Sequence, residues 1–173
     1  MTIDEMKNML LPTLLVVTSN VKTRMHNFMS SLGRYRLILD RESSEPYLDR
    51  YYLLFRDRQT FPFNIFLHHF RKSDPDVLHD HPWSYHSLVL LGGYWEHTET
   101  GKTWRGPFSY KYAPASTLHR VELDSKAPNC WTLFIPTKKQ RDWGFKTENG
   151  WVQHERYLDN RRAAKPGFQE RVL

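Results

Sequence analysis

The stretch from Ser73 to Glu99, SDPDVLHDHPWSYHSLVLLGGYWEHTE, decides the fold of this chain. It opens on a turn cluster, Ser73-Asp74-Pro75-Asp76, and ends in two β-prone runs, "SYHSLVLL" and "YWEHTE", parted by Gly92-Gly93. Aromatic and β-branched runs on either side of a glycine pair read as a hairpin. Between turn and hairpin lies His79-Asp80-His81. In an extended chain alternate side chains share a face, so both imidazoles point one way and Asp80 the other. Four of the nine histidines fall between residues 79 and 97, and the rest of the chain must explain why.

Outward from this stretch the same pattern repeats. "YRLILD", "YLDRYYLLFRD", "FNIFLHHFRK", "FSYKYA", "LHRVEL", "CWTLFIPT" and "WVQHERYL" are short runs of strand formers separated by Gly, Pro, Asn and Asp. No helical period appears between them, which excludes βαβ units and predicts an antiparallel sandwich or barrel. Upstream, residues 2–11 suit a short helix with Thr2 and Glu5 as a capping box, limited by Pro12. Residues 20–32 suit a second, stopped by Gly33. The expected organisation is therefore a partly helical N-terminal extension over 1–45, an all-β barrel over 46–160, and a basic tail over 161–173.

The 173 residues suffice for one domain with a core. Aromatics make up 14% of the chain, which suits half-buried pleated surfaces. No apolar run approaches the length a bilayer requires. Asp4 and Glu5 stand where a signal peptide would carry positive charge. A lone cysteine, Cys130, excludes an internal disulfide and fits a reducing compartment, so a cytoplasmic protein is expected. The net charge of +6 is scattered apart from the terminal "NRRAAKPGFQERVL", and a nucleic-acid partner is not expected. A small-molecule substrate is, with a monomer or homodimer both open.

Two imidazoles on one strand face can chelate a single ion, given a third ligand from elsewhere; His119, His86 and Glu96 are the candidates. At this point the sequence resembles the cupin superfamily. Its first motif, His-x-His, then Glu, then Gly, is matched by His79-Asp80-His81, four residues, His86, six residues and Gly93, with His86 in place of the glutamate. Its second, Pro-x-Gly, two residues, His, is matched by Pro114-Ala115-Ser116, Thr117-Leu118 and His119, with Ser116 replacing the glycine. The glycines expected at the motif starts are Ser73 and Phe108, and the final asparagine is Leu123. The resemblance covers about residues 46–140. It implies a double-stranded β-helix, or jelly roll, with His79, His81 and His119 as metal ligands facing the lumen. The fourth position is left to His86, Glu96 or water, the last being the three-histidine arrangement of thiol dioxygenases in the same superfamily.

Three imidazoles with open positions suit a divalent metal: Fe(II) first, with Mn(II), Ni(II), Cu(II) and Zn(II) as alternatives. A structural zinc site would close its shell, commonly with cysteines, and only one cysteine exists. The resemblance to thiol dioxygenases further implies a tyrosine near the metal and an arginine for the substrate. Tyr94 and Glu96 are accordingly the candidate catalytic residues. Arg71, Trp83 and Tyr85 are the candidate substrate contacts, Arg71 because its strand should by order neighbour the histidine strand. The expected function is an Fe(II)-dependent, dioxygenase-like enzyme. The alternatives are an oxygen-independent isomerase or lyase and a non-catalytic ligand-binding module. Three rings of ordinary pKa would make metal affinity fall steeply below about pH 6.

Overall fold

The computed structural model describes residues 19–41, 43–56, 61–75, 77–125 and 129–163. The chain divides into two compact units, Met1–Tyr35 and Arg36–Leu173. The expected helix over 2–11 and most of the tail lie outside the described residues.

In the first unit, helix α1 covers 19–31. It stops as its sequence predicts. Gly33 adopts φ +61°, and the amides of Gly33 and Arg34 reach back to the carbonyls of Ser30 and Met29 at 2.8 and 2.7 Å. This paired closure needs a residue that tolerates the left-handed conformation.

The second unit is two antiparallel sheets facing each other. The strands are β1 (Tyr35–Leu39), β2 (Pro46–Tyr52), β3 (Phe66–Phe70), β4 (Tyr85–Leu91), β5 (Tyr94–Thr98), β6 (Gly101–Arg105), β7 (Tyr110–Ala113), β8 (His119–Leu123), β9 (Cys130–Pro136), β10 (Gly144–Thr147) and β11 (Gly150–Gln153). The larger sheet runs β1-β2-β3-β9-β4-β7. The other holds β6-β5-β8 and the β10-β11 hairpin. Its two parts are joined through one residue, His79, which bridges His119 on one side and Phe145 on the other. The sheets stack as an open jelly roll rather than closing into a barrel.

Alternation drives this arrangement. In β4 the buried residues are Tyr85, Ser87 and Val89, and in β8 they are His119, Val121 and Leu123. Val89, Tyr94, Val121, Leu123 and Cys130 form a buried cluster, with Phe70 against it. Gly92 turns the β4–β5 hairpin at φ +74°, where a Cβ would fall 1.8 Å from the Asn129 carbonyl oxygen. Only glycine fits there.

Three features depart from the sequence reading. First, the His79 segment lies not on β4 but in the other sheet, bridging β8 and β10, so the strand before Arg71 does not neighbour it. Second, β6 and β10 were not foreseen; β6 is a largely exposed edge strand without alternating burial. Third, "WVQHERYL" is a strand only to Gln153 and then becomes helix α2 (His154–Ala163). The Gln153 side chain accepts from the amides of Glu155 and Arg156 at 3.1 and 3.3 Å, which caps the new helix. Tyr157 then stacks on Phe145 with ring centroids 4.2 Å apart. Strand β1 begins at Tyr35 and joins the larger sheet, so this sheet starts upstream of residue 46. No helix among the described residues is long and apolar enough to cross a membrane.

Candidate metal centre

Three histidines converge on one point inside the second unit. His79 and His119 exchange both backbone hydrogen bonds, each 2.9 Å, which fixes their side chains beside each other. The His81 amide donates to the Ala115 carbonyl at 3.1 Å, tying the first histidine pair to the loop that precedes His119. One ligand nitrogen from each of His79, His81 and His119 can be chosen so that all lie within 4.8 Å of one another. His81 Nε2 and His119 Nε2 face each other at 2.9 Å. Two ring nitrogens this close must share a proton or aim at a common cation.

Burial lowers the His79 pKa to about 4. It also pushes His81 well below the ordinary value, helped by the nearby charges of His119 and His79. The His79 and His81 rings are thus held neutral, the form that ligates.

Asp80 points away from the rings, as alternation requires. Its carboxylate accepts from the Gly144 amide at 2.7 Å, from Trp151 Nε1 at 3.0 Å and from Arg141 Nη1 at 2.7 Å. Asp80 is therefore a staple on β10 and β11 and does not orient a ring directly.

Behind His119 lies a buried ion cluster. Glu96 Oε1 sits 3.1 Å from His119 Nδ1 and accepts from Lys111 Nζ. Glu96 Oε2 accepts from Arg105 Nε at 2.9 Å. Burial alone would raise the Glu96 pKa, but hydrogen bonds from His119 and Lys111 and the Lys111 charge reverse this and hold it at about 2. A carboxylate on Nδ1 keeps the proton there and leaves Nε2 as the lone pair facing the cluster. Glu96 thus braces His119 from behind and lies outside the three-histidine group itself. The Tyr85 hydroxyl lies 3.2 Å from His119 Nε2 and accepts from Lys111 Nζ at 3.3 Å.

The remaining candidates divide by strand parity. Tyr85 and Trp83 belong to the site, the first by its hydroxyl and the second as part of the cavity wall. Three others do not come to it. His86 follows Tyr85 onto the outer face, where its Nδ1 meets the Tyr110 hydroxyl at 2.6 Å, so it cannot supply a fourth ligand. Arg71 also lies on the other side of its sheet, donating to buried Asp49 at 2.7 Å in a group that includes His69. Tyr94 is packed in the apolar cluster, not against the histidines. Residues that sequence reasoning missed are Lys111, Arg105 and the wall position of Arg50. Alternation in "YKYA" could have placed Lys111 inward; nothing local signals the others.

The three histidines open on a cavity of about 380 Å³. Its walls are largely apolar, with Phe70, Trp83, Phe134, Trp143, Phe145 and Tyr157 among them.

No protein-family model matches the sequence, and no curated protein matches it. The fold does have solved counterparts. One is a cupin-2 domain protein from Rhodospirillum rubrum, 14% identical, with 67% of this chain and 78% of that one covered at a TM-score of 0.53. Another is a protein of unknown function with a cupin-like fold from Ralstonia eutropha, 13% identical, covering 75% and 80% at a TM-score of 0.50. The chain has the cupin fold, a jelly roll of antiparallel strands, and the three-histidine group lies within it.

Proposed function

We propose that this protein is a metal-dependent enzyme acting on a small molecule, with a divalent ion, Fe(II) foremost, held by His79, His81 and His119. The observation that carries this reading is the convergence of three imidazoles within 4.8 Å at the head of a cavity. The donor set fits such an ion: three nitrogens, no thiolate, and one ring oriented from behind by a carboxylate. When bound there, the ion would supply Lewis acidity and, if redox-active, electron transfer to groups in its open positions.

The chain's own residues have definable tasks. Glu96 keeps the proton on His119 Nδ1. Lys111 and Tyr85 form a donor chain that ends beside His119 Nε2, where the hydroxyl can hold a proton against a bound substrate. The aromatic walls exclude water, which strengthens every polar contact inside. A dioxygenase-like oxidoreductase is the first reading. The Lys111–Tyr85 pair favours a second, an oxygen-independent isomerase, because such a reaction needs a positioned proton donor.

The test is elemental analysis of wild type and His79→Ala, then oxygen uptake across a small-molecule panel with an anaerobic control. Bound metal in wild type only, with substrate-dependent oxygen uptake, supports the first reading. Turnover without oxygen selects the second. Wild type that binds no metal more tightly than His79→Ala refutes both.

A further inference from the structure

The cavity contains a charge that the histidine site does not use. Arg50 on β2 faces the lumen between Leu48 and the aromatic wall. Its Nε donates to His68 Nε2 at 3.0 Å, and its guanidinium lies over the Phe66 ring at 4.7 Å. Tyr52 is a further neutral partner. No carboxylate among the described residues pairs with it. The two acids in the cavity wall are committed elsewhere. Asp40 meets Lys72 at 3.1 Å and the Ser43 amide at 3.0 Å. Asp74 accepts from the Tyr47 hydroxyl and from the Val121 amide at 2.6 Å. Two more arginines, Arg36 and Arg41, line the same cavity from exposed positions.

A guanidinium held in a largely apolar wall without a counter-charge is costly unless an anion arrives to meet it. Its flat fork of donors matches a carboxylate or phosphate. The location is specific. His68 stacks on Phe134 at 5.0 Å, and Phe134 lies 6.4 Å from the His81 ring. Arg50 and the histidine cluster therefore stand at two ends of one aromatic floor. We propose that Arg50 is an anion subsite, and that the substrate is a small organic acid, carboxylate or phosphate, whose apolar middle lies on Phe134 while its other end reaches the histidines. The second half of this inference rests on the metal reading above; the subsite itself does not.

The experiment is isothermal titration of metal-free protein with phenylacetate, phenyl phosphate and the neutral phenylacetamide, on wild type, Arg50→Gln and Arg50→Lys. Wild type should bind at least one acid about tenfold or more tightly than the amide, the scale of one charge-assisted contact. The tighter acid identifies the anion. Arg50→Gln should bring that acid down to the level of the amide while leaving the amide unchanged, and Arg50→Lys should retain part of the preference. Should Arg50→Gln fail to fold, the acid-to-amide ratio in wild type and Arg50→Lys decides. Equal binding of acids and amide, no binding of either acid, or an acid preference that survives Arg50→Gln overturns the proposal. Metal content measured separately keeps the two readings apart. Protein that loads metal but shows no acid preference refutes the subsite alone. Protein that prefers acids but loads no metal refutes the metal reading alone.

Discussion

Replacing Glu96 by Gln changes almost no volume and removes one charge, so its consequences can be worked from the contacts. The carboxylate is 1% exposed and receives donors on both oxygens, Lys111 and His119 on one and Arg105 on the other. A glutamine has one acceptor and one donor end. Whichever way the amide turns, its NH₂ meets a donor. Arg105, 29% exposed, can swing to water, so the carbonyl should stay with Lys111 and His119. Lys111 is 11% exposed and then keeps a hydrogen bond but loses its counter-charge. Breaking one partner of a buried pair costs roughly 3–5 kcal/mol. For a chain of this size that is a Tm drop of roughly 6–20 °C. Because His119 Nδ1 still has an acceptor, metal affinity should fall by only about tenfold, the low end for a lost supporting group. Denaturant unfolding of the metal-free protein measures the first effect, and competition against a chelator the second. The double variant Glu96→Gln/Lys111→Met removes both charges and should be more stable than the sum of its parts implies, by roughly 1–3 kcal/mol. A Glu96→Gln protein within about 0.5 kcal/mol of wild type, or a strictly additive double variant, refutes the buried ion pair as described.

Three further outcomes are expected. Metal-free protein should lose stability on acidification through His79: its folded pKa is about 4 against an ordinary 6.5, so the unfolded chain binds the extra proton in that window. The contribution is intact above pH 6.5 and declines by about 1.4 kcal/mol per pH unit down to about pH 4, a slope that denaturant titrations should find missing in His79→Gln. Asp80→Ala strands the Gly144 amide and Trp151 Nε1, so it should destabilise the fold by about 2–4 kcal/mol and weaken metal binding, as unfolding curves and chelator competition would register. His86→Ala, by contrast, should leave metal stoichiometry and affinity as in wild type, and a tenfold loss would return His86 to the ligand set.

The strand segments were largely legible because burial alternates with a period of two, and the hairpin at Gly92 because only glycine suits its conformation. The three histidines that converge were legible from their spacing in two motifs. What failed depended on strand order and on parity across a break. His86 could not be placed by counting from His81, because Pro82–Ser84 interrupts the extended chain before β4 begins. Arg71 was misplaced because β3 belongs to the larger sheet while the His79 segment bridges β8 and β10 in the other, a pairing between distant segments that no local signal encodes. Arg50 was passed over for the same reason: only the β2–β3 register sets it opposite His68.

His79 is both a rung of the smaller sheet and a member of the histidine group. Among the described residues, the segment through Leu78, His79 and Asp80 is what spans β8 and β10: the Lys146 amide donates to the Leu78 carbonyl at 2.8 Å and the Asp80 amide to the Gly144 carbonyl at 3.0 Å. A sheet seamed at a single residue can part there without disturbing the rest, so the β10–β11 hairpin would open as its own local unit. An ion gripping His79, His81 and His119 would act as a rivet through that seam. Detaching the hairpin would then require releasing the ion, and two events that are separate in the empty protein would become one.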